Sequence, residues 1–589
     1  MSDTQLVLDP RQCAAEYRDG RSVDLATTFL DLLRKFGTHL YFELNEDTER
    51  FVNLFVKNFL FYFTQEDFHP SEAQLVEFVQ RNPVIANVVA ISHFRTTDAH
   101  VKLLLGQSAN YAKLLALYNP RCETQVDPRA LFRANSELAT SWYYAYFENY
   151  RTGCVTETSW QNLRRHLYAA ADITLGHPTG QTHHAYFGAT YIDFEEDHLV
   201  KRNINQAVRA HVAALPLAPP APDRRKACVV TAMWFPAHSV YRCMHKFLEA
   251  LSEEFELTLI SLCDPALVDD GLFAGGVRAF DTADPEGSGV TTGEFALAFY
   301  PDIGMNVESL LLSNVRIAPV QVCGYGHPVS TWDSEIDYWL GGLETEDIAG
   351  AKRNYSERLV LIPGAGVMPN KPLYERRWNH AAHGRVRVNC SWTGQKINFQ
   401  NLSWLKQIAA RCRNRVVYRF FPGASPLSGS FTGMRREITE VLGPDVDVEV
   451  HTALEYEPYM AAMENAEFTL DPYPFGGYAT ATDALFLGKP IVTLEGRKFF
   501  NRSAAALLRK CGLECLIATT PDEYIEIAAR LVDDAAFRQD CVNIIEEGDL
   551  DTTIFADDSS TQFRRAMRYL VDHDTELKAQ QSREPLVFR

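Results

Sequence analysis

The residue pattern with the clearest chemical meaning is DPYPFGGYATATDALFLGKPIVTLEG, residues 471 to 496. A short apolar run ends in a Pro/Gly turn, and two threonines and an aspartate open an Ala/Leu-rich stretch that predicts a helix. The first-turn N–H groups of a helix lack partners within it and attract phosphate, so the turn could hold a nucleotide diphosphate. Thr and Asp are also ordinary helix caps, which is the alternative without a ligand. The residues predicted to contact the nucleotide are Gly476, Gly477, Ala479, Thr480, Thr482 and, on a ribose hydroxyl, Asp483.

Lys396 lies in SWTGQKINF, after a predicted strand and before the predicted helix NLSWLKQIAARC. That position directs its ammonium group toward the cleft above a sheet. Departure of a nucleoside diphosphate builds negative charge on the β-phosphate, and a cation aimed there lowers the barrier without a metal. We therefore predict a catalytic role for Lys396. A solvated loop lysine is the alternative.

Histidines follow other predicted strands. His238 in FPAHSVYR and His327 in CGYGHPVSTWD could orient a sugar or acceptor, or act as a base, although a lone histidine is also often a hydrogen-bonded structural residue. Arg242 lies one helical turn beyond His238 and could pair with an anionic ligand or with a local carboxylate. His451 follows VDVEV and is the weaker candidate for lining the nucleotide pocket.

Two patterns could suggest a metal, and neither is persuasive. Asp445-Val446-Asp447 forms a D-x-D, but it precedes a predicted strand, where turn and strand-start roles explain it. A histidine cluster fits no familiar zinc spacing and is predicted to be structural or to lie on the acceptor side. We predict no metal site. The clustered histidines are His177, His183, His184 and His198.

The elements that position these residues change along the chain. From about residue 22 to 210 apolar residues recur at helical spacing, as in Leu30, Leu33 and Phe36. A Pro-rich stretch then forbids helix and sheet interior, and strands alternate with helices as in parallel α/β sheets. The predicted domains are an all-helical domain 1–215, a linker 216–225, a first Rossmann-like domain 226–375, and a second 376–589 that binds the nucleotide-sugar and carries C-terminal helices.

Size and charge limit the function classes. At 589 residues the chain is too long for one core, and its formal net charge of -19 disfavours a general nucleic-acid binder. The best membrane candidate, residues 51–63, is short and interrupted by Asn53, Lys57 and Asn58, and the N-terminus does not resemble a secretory signal. These features predict a cytoplasmic enzyme without stable membrane insertion.

Several motifs together resemble glycosyltransferase family 41, over roughly residues 226 to 570. AHSVYR, GYGHPVSTWDSEIDY and NYSERLVLIPG are similar to family segments, the first two to its bacterial cytoplasmic protein N-glucosyltransferases, whose acceptors are adhesins. The resemblance implies a GT-B fold of two Rossmann-like domains behind an all-helical N-terminal domain. It also implies an inverting, metal-independent transfer of hexose, expected to be glucose, from a UDP-sugar to Asn in N-x-Ser/Thr sequons of an acceptor protein.

The resemblance assigns roles by position. Lys396 matches the lysine that contacts the diphosphate, Thr393 a neighbouring nucleotide contact, and Asp483 the ribose-binding aspartate. His238 and His327 match active-site histidines. Where the bacterial branch has an Asn-rich turn after Pro-Phe-Gly, this chain has Gly-Tyr-Ala-Thr, closer to the O-GlcNAc transferase branch. Transfer of GlcNAc or another hexose to Ser/Thr, and a nucleotide-sugar-binding protein without transfer activity, therefore remain alternatives.

Overall fold

The structure is a computed structural model in which the chain forms two compact units. Unit 1 comprises Met1–Val200, Trp392–Gln407 and Val417–Glu455, and unit 2 comprises Lys201–Ser391, Ile408–Val416 and Tyr456–Arg589. Part of the predicted linker, at residues 216, 217, 219 and 220, lies outside the described residues. The structure describes residues 7–39, 45–107, 110–152, 155–215, 218, 221–282, 284–368, 371–377, 384–423, 431–451, 454–556 and 558–589.

The first part of the chain is helical, as its apolar periodicity predicts. Its α-helices are α1 Pro10–Arg18, α2 Ser22–His39, α3 Glu46–Phe63, α4 Glu72–Gln80, α5 Asn82–Ile91, α6 Asp98–Leu104, α7 Tyr111–Leu117, α8 Pro128–Ala134, α9 Ser136–Glu148, α10 Glu157–Tyr168, α11 Thr182–Ile192 and α12 Asp197–Val212. A 3-10 turn, Asn149–Thr152, extends α9.

Helix α3 illustrates how the sequence specifies these elements. The Asn45 side chain caps its start by accepting the Thr48 N–H at 2.8 Å, and acidic residues fill its first turn. Phe55 and Phe59 are buried and stack with ring centroids 5.7 Å apart, so the apolar stripe faces the helical core. Across the described ranges, no helix, α3 included, combines the length and apolarity that crossing a bilayer requires.

A parallel sheet of unit 2 follows, with strand order β7-β6-β5-β4-β1-β2-β3. The central strand β4, FALAFY, is buried at every residue, as expected when helices cover both faces. Strand β1 begins inside the segment predicted as linker, because Asp223 already pairs with Phe295 of β4. The elements are β1 Asp223–Thr231, α13 Ser239–Ser252, β2 Glu256–Ser261, β3 Val277–Ala279, β4 Phe295–Tyr300, α14 Val307–Ser313, β5 Val320–Cys323, β6 Tyr338–Gly342, α15 Ala351–Asn354 and β7 Arg358–Ile362.

A second α/β alternation fills the rest of the chain. Its elements are β8 Val386–Cys390, α16 Phe399–Arg411, β9 Val416–Phe420, α17 Phe431–Leu442, β10 Asp447–Val450, α18 Tyr456–Glu464, β11 Phe468–Leu470, α19 Tyr478–Phe486, β12 Ile491–Leu494, α20 Ser503–Lys510, β13 Ile517–Ala518, α21 Pro521–Asp533, α22 Ala535–Glu547, α23 Leu550–Thr553, α24 Ser560–Asp572, α25 Asp574–Ala579 and β14 Leu586–Val587.

The strands of this second alternation are parallel where they pair. Within unit 2 they follow the order β8-β11-β12-β13, and within unit 1 β9 pairs with β10. The end of the chain returns to the first sheet of unit 2: α24 packs against α13 and β4, and β14 pairs with β7. The first sheet therefore contains its own strands and one from the end of the chain.

A buried ion pair ties the helical part of unit 1 to its α/β part. Arg121 Nε lies 2.6 Å from Glu437 Oε1, and both side chains are buried. Burial raises the pKa of Glu437, and the neighbouring Arg121 opposes that rise. Because an unpaired buried charge is costly, each partner depends on the other, and α17 is fixed against the loop that carries Arg121.

Candidate active site

The Gly-rich turn lies at the carboxyl end of β11, and α19 begins directly after it at Tyr478. Its N-cap residue, Gly477, provides no side chain for the first turn and donates its own N–H to Asp471 Oδ1 at 2.9 Å. A Cβ atom on Gly476 would lie 2.6 Å from Asp471 Oδ2 and 2.9 Å from the Phe500 carbonyl oxygen. Only glycine fits there, and the helix start keeps an uncapped first turn.

The two candidate threonines at the start of α19 differ in exposure and in hydrogen bonding. Ala479 and Thr480 are partly exposed, so an approaching phosphate can reach their N–H groups. Thr482 is 2% exposed and donates its hydroxyl to the Tyr478 carbonyl at 2.9 Å. Since the Thr482 proton is used inside the helix, the geometry favours Thr480 for contact with a phosphate.

Asp483 and Arg242 meet in unit 2. Asp483 is 4% exposed, and Arg242 Nη2 lies 3.5 Å from its Oδ1. Burial raises the pKa of Asp483 to about 6, and Arg242 opposes that rise. The Arg242 guanidinium also lies 5.8 Å from the centre of the Tyr456 ring. Of the two partners considered for Arg242, the structure records the local carboxylate, while ligand contact stays a prediction.

His238 is the N-cap residue of α13, and its role in the helix fixes its protonation. Its Nδ1 accepts the Val240 N–H at 3.2 Å, and burial lowers its pKa to about 4. The neutral ring must therefore carry its proton on Nε2. In this state His238 can donate a hydrogen bond from Nε2 but cannot accept a proton there, which favours orientation of a ligand over general-base catalysis.

His327 follows β5 and is 3% exposed. Lys201 Nζ lies 3.4 Å from its Nε2, and burial together with this cation lowers the pKa of His327 well below its ordinary value. An ammonium can only donate, so Nε2 accepts and the ring proton lies on Nδ1. The ring stacks on Phe475 of the Gly-rich turn, with centroids 6.0 Å apart. The structure thus joins His327 to the predicted nucleotide turn.

Asp302, which the sequence did not single out, supports the loop that carries His327. It lies after β4, is fully buried, and accepts the Thr231 hydroxyl at one carboxylate oxygen. Burial raises the pKa of Asp302 to about 7. A Cβ atom on Gly326 would lie 2.4 Å from Asp302 Cβ, so the loop backbone rests directly on this side chain.

The Lys396 turn belongs to unit 1. Gly394–Lys396 is a 3-10 turn with Thr393 at its N-cap, and the Thr393 carbonyl accepts the Lys396 N–H at 2.7 Å. The Lys396 carbonyl in turn accepts Nδ2 of Asn401 at 3.2 Å, while the Gly394 N–H bonds to the Pro422 carbonyl at 3.1 Å. These backbone bonds fix the turn from both sides and leave the lysine side chain partly exposed.

His451 lies at the end of β10, also in unit 1. Its ring stacks on Phe421 with centroids 4.6 Å apart, and its Nε2 lies 3.4 Å from Glu449 Oε2. Glu449 also pairs with Arg419 Nε at 3.1 Å. This aromatic and charged group could face a base or ribose, but its contacts are equally those of a well-packed strand end.

The predicted site residues are divided between the two units. Unit 1 contains Thr393, Lys396 and His451, and unit 2 contains His238, Arg242, His327, Gly476, Gly477, Ala479, Thr480, Thr482 and Asp483.

Two members of the histidine cluster, His183 and His184, have structural contacts. His184 lies between Glu148 and Arg151, with Nε2 3.3 Å from Glu148 Oε1 and Nδ1 accepting Arg151 Nη1 at 2.9 Å. The His183 ring contacts that of His184 at 3.9 Å. Within the described ranges, no group of three or more His, Cys, Asp or Glu side chains has an arrangement suited to a metal ion.

Sequence reasoning missed two partners of the predicted site residues. Asp471 opens the quoted motif and holds the glycine turn, and its Oδ2 also accepts the Thr493 hydroxyl at 2.8 Å. Its place before a Pro/Gly turn was a usable signal. The contact of Lys201 with His327 could not be predicted, because nothing in the helical sequence around Lys201 indicates a partner 126 residues away.

Comparisons with known proteins agree with this architecture. Residues 457–562 match the model of glycosyl transferase family 41. The chain is 26% identical over 475 residues to the UDP-glucose:protein N-beta-glucosyltransferase of Actinobacillus pleuropneumoniae serotype 5b, covering 76% of this chain and 74% of that protein. It is 28% identical over 233 residues, 37% of this chain and 24% of the relative, to a probable UDP-N-acetylglucosamine--peptide N-acetylglucosaminyltransferase SPINDLY of Solanum lycopersicum.

A solved structure extends the likeness to the whole fold. A mutant of the O-GlcNAc transferase of Thermobaculum terrenum superposes with a TM-score of 0.60 at 18% identity, covering 94% of this chain and 99% of that one. The helical region followed by parallel α/β sheets, with the Gly-rich turn at a strand end, therefore has the GT-B fold. The match at residues 457–562 and the similarity to a UDP-glucose:protein N-beta-glucosyltransferase support a UDP-sugar glycosyltransferase that is similar to members of glycosyltransferase family 41.

Proposed function

We propose that the protein is an inverting, metal-independent glycosyltransferase that moves a hexose, glucose in the first instance, from a UDP-sugar to Asn side chains in N-x-Ser/Thr sequons of an acceptor protein. The similarity to a UDP-glucose:protein N-beta-glucosyltransferase over 76% of the chain supports the donor and the acceptor class. The proposal includes no metal and no other cofactor.

The observation that carries the proposal is the start of α19. The first turn of α19 has no side-chain cap and follows Gly476, where no larger residue fits, and a buried carboxyl, Asp483, lies within the same helix. N–H groups at a helix start suit a diphosphate, and a carboxylate suits a ribose diol. We assign the diphosphate to the turn from Gly476 to Thr480 and the ribose to Asp483.

The proposed transfer is a single displacement at the anomeric carbon. The amide nitrogen of the acceptor Asn forms the C1–N bond as the bond from C1 to the β-phosphate oxygen breaks, UDP leaves with the electron pair, and the nitrogen releases one proton to water. Lys396 and the α19 first turn stabilise the charge that develops on UDP. His238, as an Nε2–H donor, and His327 orient the acceptor and the sugar.

We also propose the arrangement of domains, partners and location that the sequence predicts. The helical domain, residues 1–215, contributes the acceptor side, residues 226–375 and 376–589 form the two Rossmann-like domains, and the enzyme modifies proteins, adhesins among them, in the cytoplasm. Subcellular fractionation with mass spectrometry of the modified proteins tests location and acceptor together.

A second candidate function has its own support. The start of α19 contains Thr480 and Thr482 where the bacterial branch has an Asn-rich segment, and a SPINDLY-type relative named as an N-acetylglucosaminyltransferase matches 37% of the chain. These observations favour transfer of GlcNAc or another hexose to Ser/Thr hydroxyls as the alternative. A binding protein without transfer activity is the third candidate.

One experiment separates these functions. The protein is incubated with UDP-glucose, UDP-galactose or UDP-GlcNAc and a sequon peptide, its Asn→Gln copy and its Ser/Thr→Ala copy, with and without EDTA, and the products are measured by intact mass. A gain of one hexose on the sequon peptide alone, unchanged by EDTA, is the expected result. Equal modification of the Gln copy would refute N-linkage, and nucleotide binding without any product would favour the third candidate.

A further inference from the structure

Two elements of the helical region contact the Lys396 turn within unit 1. Helix α11 and the 3-10 turn Asn149–Thr152 both pack against Gly394–Lys396. The Tyr191 hydroxyl, near the end of α11, forms a hydrogen bond with the side chain of Gln395, the residue before Lys396. A Cβ atom on Gly394 would lie 3.0 Å from the Arg151 carbonyl oxygen. The turn is therefore held at Gln395 by a side chain and at Gly394 by a backbone.

A chain of buried and partly buried polar groups holds Arg151 in place. Its Nη1 donates to His184 Nδ1 at 2.9 Å, His184 Nε2 lies 3.3 Å from Glu148 Oε1, and Gln181 Nε2 donates to Glu148 Oε2 at 2.6 Å. Because a guanidinium only donates, the His184 proton must lie on Nε2 and point to Glu148. Burial lowers the pKa of His184 far below its ordinary value, so the ring stays neutral.

The two residues that contact Arg151 and Gln395 lie on the same helix, α11. His184 and Tyr191 are seven residues apart on α11, which places them two turns apart on the same face. The Tyr191 ring stacks on Tyr150, with centroids 6.0 Å apart, and on Phe187 at 5.2 Å. A Cβ atom on Gly188 would lie 2.7 Å from the Tyr150 ring, so this packing leaves no spare room.

We propose that Tyr191, together with the Arg151–His184–Glu148 chain, is a positioning device that sets the Lys396 turn for transfer. The inference rests on the proposed function, in which the Lys396 ammonium meets a leaving diphosphate. Electrostatic stabilisation of this kind depends on a donor that is already in place, and a small displacement far from the reacting atoms is costly. Helix α11 of the acceptor-side domain thus acts on donor chemistry through Gln395 and Gly394.

The test is a double-mutant cycle between Tyr191→Phe and Lys396→Ala, with UDP-glucose and the sequon peptide followed by product mass. Tyr191→Phe removes one hydroxyl and retains the stacking ring. We expect it to lower kcat roughly threefold or more with little change in the KM of the peptide. In the Lys396→Ala background the same change should have no further effect, because the group that Tyr191 positions is absent.

Tyr143→Phe is the matched control. The Tyr143 hydroxyl is buried in the same helical region and donates to the His166 carbonyl at 3.1 Å, away from the Lys396 turn. Tyr143→Phe should lower the thermal midpoint about as much as Tyr191→Phe does, and it should leave kcat unchanged. Gly394→Ala presses the turn against Arg151 and should reproduce the kcat loss by an independent route if Tyr191→Phe folds poorly.

The outcomes are distinct. The positioning role would be overturned if Tyr191→Phe and Gly394→Ala both retained full kcat. It would also be overturned if Tyr191→Phe lowered kcat equally in the wild-type and Lys396→Ala backgrounds. Either result would leave the proposed function intact. Full activity of Lys396→Ala alone would instead refute the assigned role of the lysine, and the positioning role with it. A loss confined to the wild-type background supports the inference.

Discussion

Binding of the donor should depend on pH through Asp483. Burial raises the pKa of this carboxyl to about 6, with Arg242 opposing the rise. A ribose diol can donate to both oxygens of the ionised carboxylate, whereas the protonated acid keeps only its carbonyl oxygen as a good acceptor, so we expect the ionised form to bind the donor more tightly. For a pKa near 6 the ionised fraction falls about tenfold from pH 7 to pH 5, which corresponds to about 1.4 kcal/mol of binding free energy.

Calorimetric titration with UDP-glucose at pH 5, 6 and 7, without acceptor, measures this effect. UDP-glucose is preferable to UDP, because its phosphates carry constant charge over this range. Asp483→Asn should remove the pH dependence, since the amide does not titrate. Asp269→Asn is the control: Asp269 accepts the Tyr241 hydroxyl at 2.5 Å, and this bond holds the pKa of Asp269 below its ordinary value, so it stays ionised throughout.

Two results would refute this reasoning. An affinity of the wild-type protein that is constant from pH 5 to pH 7 would mean that Asp483 does not receive the ribose, or that its pKa lies outside this window. A tenfold dependence that persists in Asp483→Asn would assign the titration to another group.

Three further predictions concern stability and activity. The pKa of Asp302 is raised to about 7 in the folded state, so the free energy of unfolding of the wild-type protein falls as pH rises from 5 to 7. The Asp302→Asn side chain does not titrate. Between pH 5 and 7 the free energy of unfolding of this variant, measured in urea titrations, should therefore gain about 2 kcal/mol relative to wild type. Glu437→Ala should lose about 3 to 5 kcal/mol of unfolding free energy because Arg121 stays buried, whereas the double variant Arg121→Met, Glu437→Leu should recover most of it. His238→Asn should retain the helix cap and thermal midpoint but lose transfer activity, and His238→Ala should lose about 1 kcal/mol as well.

Much of the fold follows from local pattern. The strand FALAFY and the helix SVYRCMHKFLEALS were predictable because hydrophobic period and caps act over short distances, and both are present as β4 and α13. Pairings between distant segments were not predictable from the sequence. Arg121 and Glu437 are 316 residues apart, and β14 joins β7, yet neither leaves a periodic signal in the sequence.

The candidate site shows the same division. The Gly-rich turn and the helix that contains Asp483 were predictable, because glycines and helix starts impose a characteristic local backbone conformation. The direction of the Thr482 hydroxyl depends on where α19 begins, and the sequence does not fix that boundary to within a turn. The Tyr191 contact with Gln395 joins two regions that the sequence assigns to different domains, so no local pattern could have revealed it.

The pairing of β14 with β7 has a consequence for biosynthesis. Leu586 pairs with Val360, so β7 keeps an open sheet edge while the intervening chain is still being made on the ribosome. A nascent protein in that state is prone to aggregate and is a natural client for chaperones. Deletions that remove β14 would leave that edge open permanently, and low yields of such variants would follow from the missing strand.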